Sequence, residues 1–554
     1  MTHMKKLLVG AALVLFLLVA LIILLPFLVD LNRYQAQYRP IVEEALNRKI
    51  ELKDIRLTIF PRVGVRVAGF IVLDDPAFRA GPFASLTSLD IGVKLGPLLS
   101  RRVEVEEINL RDPVITIIKN AQGITNLSTL GKKGLWAPKA NEPDPPAAEG
   151  PLRALALLLV DRLAVTGGKL TYRDQAPAKP AEHVLQNIEV LLKDMGLGKT
   201  PTIHVAASVQ PQNLPITIDG KAGPLKESLD IEMIDLIIGL GKIALSVRGN
   251  AIRGDLKLAV TSPSINTADL PVALPLKKPF EAKELKLAIT LNGPQARLQS
   301  LSVNLFGGQL TARGGLTYGL PRPPFDGNVE LHGIQLGPVM EAVGTDKASI
   351  SGVAALDLSL RGTGLALPDL AKTLEGPGRF QIKEGKIEGV NILKEATALL
   401  KPIGVAPDAA NATVFSTIEG NLAIEQGVIT FERLLMDSHD FQATATGTLG
   451  FDKTLNLKAT LNLSEALSNR IAGASPTAKF AMAGGRLSVP LVITGTTQAP
   501  SYGLDTKAVG AKAQEQFKEQ IKEKLGELLK GKGTPSGGAG ADKGKDILKG
   551  LFGQ

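Results

Sequence analysis

Leu-Lys-Leu-Ala-Ile-Thr-Leu-Asn, residues 285–292, alternates along its length. A β-strand turns successive side chains to opposite faces. Leu285, Leu287, Ile289 and Leu291 therefore share one face, and Lys286, Ala288, Thr290 and Asn292 the other. The same period of two returns at Leu301, Val303 and Leu305 around Ser302 and Asn304. It returns at Leu356, Leu358 and Leu360 around Asp357 and Ser359. It runs longest at Leu455, Leu457, Ala459, Leu461 and Leu463, around Asn456, Lys458, Thr460 and Asn462. One apolar and one largely polar face per strand predicts a mainly β protein, an antiparallel sheet with one wet side.

Alternation does not state what covers the apolar side. Two sheets could pack face to face as a sandwich. Alternatively, an elongated, curved sheet could leave its apolar face open as a groove for acyl chains, at roughly 0.8 kcal/mol per sheltered methylene. About 25 strands at ~4.8 Å spacing would make that groove of order 120 Å long. The apolar-face residues named above, Ala459 apart, are its candidate lining.

Working outward, Leu301–Tyr318 and Leu434–Phe451 follow one loose pattern of apolar strand, polar turn, strand, Gly and strand. The similarity is too weak for a strict repeat. Short β-branched runs also fill Ile50–Phe60, Val63–Leu73, Phe83–Leu95, Val103–Leu110 and Val114–Ile118. Helical spacing is confined to a juxtamembrane stretch at 32–49, kinked or restarted at Pro40, to Leu393–Leu400 and Ser464–Ile471, and to Val509–Lys530. In the last, Ala513, Phe517, Ile521, Leu525, Leu528 and Leu529 oppose Glu and Lys, which predicts a C-terminal amphipathic helix. It either packs on its own domain or docks on a membrane or partner.

Prolines 138, 143, 145, 146 and 151 mark residues 132–151 as a linker. The expected divisions are an anchor at 1–30, an N-terminal β unit at 31–131, the linker, a middle β region at 152–349, a C-terminal β region at 350–507, and a tail at 508–554.

Leu7–Val29 is a run of 23 residues without a charge. At about 1.5 Å per residue a helix of that length crosses the hydrocarbon core. The run is longer than a signal-peptide core, and no small-x-small cleavage site follows it, so it reads as an uncleaved anchor. Lys5 and Lys6 keep the N-terminus cytoplasmic and put the rest across the membrane.

Composition excludes several functions. There is no cysteine, hence no disulfide, thiolate metal site or cysteine nucleophile. Aromatic residues are 4% of the chain, with Trp136 the single tryptophan, a poor basis for stacking on nucleic-acid bases. The net charge of +9 is partly local. Residues 507–554 carry ten Lys against six acidic groups, which suits either a soluble basic protein or attraction to an anionic membrane.

His3, His183, His204, His332 and His439 form no ligand-spaced pair, and His439-Asp440 reads as a surface turn. Gly196-Leu-Gly-Lys-Thr200 lacks the earlier glycine of a phosphate loop, because Lys193 stands there. No catalytic, cofactor or metal site emerges, and the reading is not an enzyme.

Several segments resemble the AsmA family of Gram-negative inner-membrane proteins. At the N-terminus they are the anchor with Val29-Asp-Leu-Asn-Arg-Tyr34, the helix Ile41–Arg48, Leu57-Thr-Ile-Phe-Pro-Arg-Val-Gly64 and Asp75-Pro-Ala-Phe78. Leu95-Gly-Pro-Leu-Leu-Ser100, Asp112-Pro-Val-Ile-Thr-Ile117 and Gly123-Ile-Thr-Asn-Leu127 continue the series. Two positions depart from the pattern: Leu127, where Trp is common, and Lys49, where Gly is.

Later matches are Leu374-Glu-Gly-Pro-Gly378, Lys383-Glu-Gly-Lys-Ile-Glu-Gly-Val390, Phe415-Ser-Thr-Ile-Glu-Gly-Asn421, Glu425-Gln-Gly-Val428 and Leu491-Val-Ile-Thr-Gly-Thr496. The resemblance covers roughly residues 5–130 and 350–505, with the middle fitting only as further strands. It implies an inner-membrane anchor, a periplasmic β-groove similar to bridge-like lipid-transfer proteins, and a role in outer-membrane biogenesis and phospholipid movement. Membrane phospholipids are then the partners, with an outer-membrane or envelope protein also expected and no nucleic acid. The alternative function is an assembly factor or tether for outer-membrane proteins that carries no lipid.

Overall fold

The computed structural model describes residues 30–508, except 61, 79–80, 101, 132–159, 176–180, 197, 227, 229, 273, 345–348, 400–410 and 475–481. The expected anchor, the Pro-rich linker and the C-terminal amphipathic helix lie outside the described residues. No helix among those described is long and apolar enough to cross a membrane. The chain divides into two compact units. The first runs to Gly385 and includes Asn421–Gly427; the second holds Lys386–Gly420 and everything from Val428.

The first unit opens with a short 3-10 turn, Leu31–Tyr34, and helix α1 (Gln35–Leu46), which continues through Pro40. Strands β1 (Ile50–Glu51), β2 (Asp54–Thr58), β3 (Gly64–Leu73), β4 (Pro82–Val93), β5 (Val105–Arg111), β6 (Val114–Lys119) and β7 (Arg162–Asp174) follow, with helix α2 (Leu95–Leu99) between β4 and β5. Then come β8 (Ala181–Lys193), β9 (Thr202–Gln210), β10 (Leu214–Leu225), β11 (Ile231–Leu240), β12 (Ile243–Ile252) and β13 (Asp255–Asn266). The series ends with β14 (Glu281–Asn292), β15 (Gln295–Leu305), β16 (Gly308–Thr317), β17 (Pro324–Gln335), α3 (Leu336–Val343), β18 (Ser349–Thr363), α4 (Leu367–Thr373) and β19 (Gly376–Glu388).

From β7 to β18 each strand pairs antiparallel with the next. One exception corrects the antiparallel expectation: β5 and β6 both pair parallel with β7. They behave as one strand broken at Asp112-Pro113. Proline cannot donate to the ladder, and Asp112 takes a left-handed φ of 48° at the break. Residues 120–161 lie between β6 and β7, long enough for the crossover that a parallel pair requires.

α1 covers one end of the first strands. Val42, Leu46 and Leu127 pack against buried Ile50, Val72 and Phe83. Asn126 is fully buried there: its Oδ1 accepts from Ile118 N at 2.9 Å, and its Nδ2 donates to Asp74 Oδ2 at 2.8 Å.

Glu43 fastens the end of α1. Its carboxylate accepts from Lys49 Nζ at 2.7 Å, Ile50 N at 3.2 Å and Arg39 Nε at 3.1 Å. The Lys49 contact is the largest cause that holds Glu43 at about 2, below the ordinary 4.5. A depressed carboxylate contributes stability above its unfolded value and loses it as pH falls toward the folded one. Glu43→Gln is therefore expected to lower the thermal midpoint at neutral pH, and the gap to wild type should close between pH 4.5 and about 2. Midpoints measured across that range check this; a gap independent of pH contradicts it.

The second unit takes most of β20 (Ala412–Glu425), with α5 (Ile392–Leu399) before it. β21 (Val428–Asp437), β22 (Phe441–Gly450), β23 (Thr454–Leu463), α6 (Glu465–Ala474), β24 (Met482–Ala483), β25 (Arg486–Thr496) and β26 (Ala499–Leu504) complete it. Its core is enclosed: Leu461, Leu463, Leu487 and Leu491 are each at most 1% exposed. α6 folds back beside β25, where buried Ser468 accepts from Leu487 N at 2.9 Å through its Oγ.

Candidate functional site

Residues paired across a ladder share a face of the sheet, so register shows which side chains line up. In the first unit one row runs Ile55, Val67, Leu89, Leu110, Val165, Val190, Val205, Ile218, Ile238 and Leu245. Two residues along β12, the row resumes at Val247 and continues through Val260, Leu287, Leu301, Ala312, Val329 and Leu358. From β2 to β18 no position in the row is polar.

Neighbouring rows repeat the pattern. Leu256, Leu291 and Ala296 align, as do Leu258, Ile289 and Leu298, and Val303, Leu310, Leu331 and Leu356. Of the first row only Ile55 and Val247 are buried; the others are half-buried. Side chains that flank each other on the sheet explain partial shielding. A sealed second layer would leave them as inaccessible as Leu461.

The opposite face is largely polar and carries charge pairs, with Ile237 an exposed apolar exception. Arg248 meets Asp235 at 3.3 Å, Arg379 meets Asp357 at 2.9 Å, and Asp326 stands opposite Arg361. Exposed pairs of this kind add little stability, but they keep this side in water.

Bulges keep the apolar set in phase. Leu298 and Leu301 are three residues apart and would point to opposite sides of a regular strand. Their partners on β16, Gly314 and Ala312, are only two apart, so one extra residue on β15 returns both leucines to the same face. The same happens at Leu331/Ile334 and, in the second unit, at Phe431/Leu434. Glycine supplies close backbone approach: a Cβ on Gly249 would lie 1.9 Å from the Lys257 carbonyl oxygen. The Leu301–Tyr318 and Leu434–Phe451 likeness thus has a structural counterpart, a bulged strand followed by its hairpin partner.

The candidate lining residues separate into three groups. Leu287, Ile289, Leu291, Leu301, Val303, Leu305, Leu356, Leu358 and Leu360 lie on the face just described, all half-buried except Val303, which is 8% exposed. Leu285 stands at its rim, opposite Ser262 and two residues from the Lys283–Ser264 pair, where the face turns polar. Leu455 and Leu457 are half-buried on the second unit's own apolar face, beside Leu449 and Ile493. Leu461 and Leu463 belong to that unit's enclosed core, at 1% and 0% exposure, so the structure removes them from an open lining. The sequence reading missed the middle of the face, β8 to β13, where alternation is interrupted by bulges and by Gly220 and Gly249.

The polar groups singled out in the sequence are local. His204 Nδ1 lies 2.5 Å from Asp219 and His439 Nδ1 3.1 Å from Asp440, all four side chains well exposed. The Gly196–Thr200 segment is a turn in which Lys199 reaches Asp161 at 2.6 Å. That contact, and Lys94 after it, hold the Asp161 carboxyl below its usual range. Among the described residues no cluster of His, Asp and Glu is placed to hold a metal ion.

No curated protein and no solved structure matches the chain. The model of the AsmA family matches residues 1–251 and 279–434. That match takes in much of the middle region, where the sequence resemblance saw only further strands, and stops short of residue 505. With well over half its length matched, the chain belongs to the AsmA family.

Proposed function

We propose that this protein carries phospholipid acyl chains on the apolar face of its first unit, as part of lipid traffic at the cell envelope. Family membership suggests a function related to the envelope and outer membrane. The observation that carries the finer reading is the apolar row from β2 to β18, stepping by two residues on β12, mostly half-buried and backed by a largely polar face. Monomeric proteins seldom leave contiguous apolar patches above a few hundred Å² uncovered, and larger ones mark binding surfaces. A β face of this kind suits a long flexible hydrocarbon: about ten sheltered methylenes gain ~8 kcal/mol.

In this reading Leu7–Val29 anchors the chain in the inner membrane, N-terminus inside, and the sheet works in the periplasm. It binds and conducts; no bond is broken, and no cofactor takes part.

Photoreactive amino acids placed at Leu287, Leu301, Val329 and Leu358 of the full-length protein in cells test this. Phospholipid adducts are expected from these four, and not from Lys286, Ser302 or Asp357 on the other face. Protein adducts without lipid at the apolar positions would overturn the proposal and favour the tether or assembly factor.

A further inference from the structure

We propose that Phe60, Leu95, Leu98 and Val103 form a second contact with the bilayer that holds the anchor, dipping into its polar–apolar interface. The inference rests on the reading of Leu7–Val29 as a membrane span. Phe60 is 91% exposed, Val103 71%, Leu95 59% and Leu98 37%. All four lie at one edge of the sheet. Phe60 belongs to the β2–β3 turn and the others to the β4–β5 connection. Val93 N donates to Val63 O at 2.9 Å, which holds the two segments side by side.

The course of α1 shows which edge lies nearer residue 30. Asn32 is tied to the start of β2: its Nδ2 donates to Asp54 Oδ1 at 2.7 Å, and its Oδ1 accepts from Ile55 N at 2.9 Å. From there α1 leads to Ile50. On β3, Ile55 pairs with Val67 and Ile50 with Val72. Those five residues of strand, about 17 Å, equal the ~18 Å rise of a twelve-residue helix. α1 therefore runs away from the Phe60 edge, and its start, at Asp30–Tyr34, is the part of it nearest that edge. Only Arg56, Leu57 and Thr58 separate the Ile55 level from the turn, roughly 10 Å of strand.

Exposed Arg102 stands between Leu98 and Val103, placed to reach lipid phosphate while its neighbours enter the apolar layer. The opposite edge carries Asp74 and Asp75 beside Lys49, and the exposed Pro76-Ala77 turn. A bilayer meeting the first edge explains four apolar side chains that nothing described covers.

The chain has no cysteine, so Phe60→Cys, Leu98→Cys and Ala77→Cys each give one labelling site in the full-length protein. Each variant is placed in phospholipid vesicles, labelled with a polarity-sensitive fluorophore and exposed to lipid bearing a nitroxide near the top of its acyl chain. Emission should fall at least about twofold at 60 and 98, as for groups some 5–10 Å into the headgroup boundary. It should be unchanged at 77. Equal quenching at all three sites, or none at 60 and 98 while the protein resists alkaline carbonate extraction, overturns this contact and leaves the anchor standing. Release of the protein by carbonate overturns the anchor, and this contact with it.

Discussion

Ile289→Asp is expected to leave the protein folded and to cut phospholipid captured at its neighbours Leu258 and Leu298 by at least about tenfold. In the unliganded sheet Ile289 is half-buried, so a carboxylate there still reaches water. The cost to folding is that of a poor strand former, about 1 kcal/mol. With acyl chains laid over the face the same carboxylate is shut off from water. An unpaired polar group so buried costs ~1–3 kcal/mol by mutational measures and more in hydrocarbon. Each 1.4 kcal/mol is about a factor of ten in occupancy. Photocapture at positions 258 and 298, with circular dichroism and protease resistance as the fold check, reads both parts. Unfolding would mean that a covering layer seals Ile289. A folded variant with undiminished capture would mean that the lipid lies elsewhere.

Leu461→Asp is expected to do the opposite and unfold the second unit. Leu461 is 1% exposed, between Ala443 on β22 and Val489 on β25. Trimming such a leucine to alanine costs about 2–5 kcal/mol. A carboxylate costs more, since a side chain 1% exposed has no path to water. Limited proteolysis should cut the Leu461→Asp protein within residues 428–504 under conditions that leave wild type intact. A protease-resistant variant would show that this part of β23 faces open space after all.

The two substitutions look alike in the sequence, and this marks how far the sequence can be read. Both sit in clean leucine alternation, so the strand and its apolar face were legible at each. What separates them is the helix Glu465–Ala474, visible by spacing. Its return over Leu463 and Leu487 depends on a hydrogen bond from the Leu487 backbone to Ser468 across nineteen residues of sequence. The bulges were illegible for a different reason. A spacing of three, as between Leu298 and Leu301, reads as a loss of phase until the partner strand shows a spacing of two. The parallel pairing of β5 and β6 with β7 was hidden likewise, because Asp112-Pro113 looks like a turn between hairpin strands. The continuity of the apolar row is a property of register, which local alternation constrains only within each strand.

The most direct measurement is mass spectrometry of the full-length protein purified from its native membranes in mild detergent. The account predicts phospholipid retained at about one or more per chain, a stoichiometry that a sheltered acyl face supports, and markedly reduced in the folded Ile289→Asp variant. Lipid no higher than on an unrelated membrane protein prepared in parallel would contradict it.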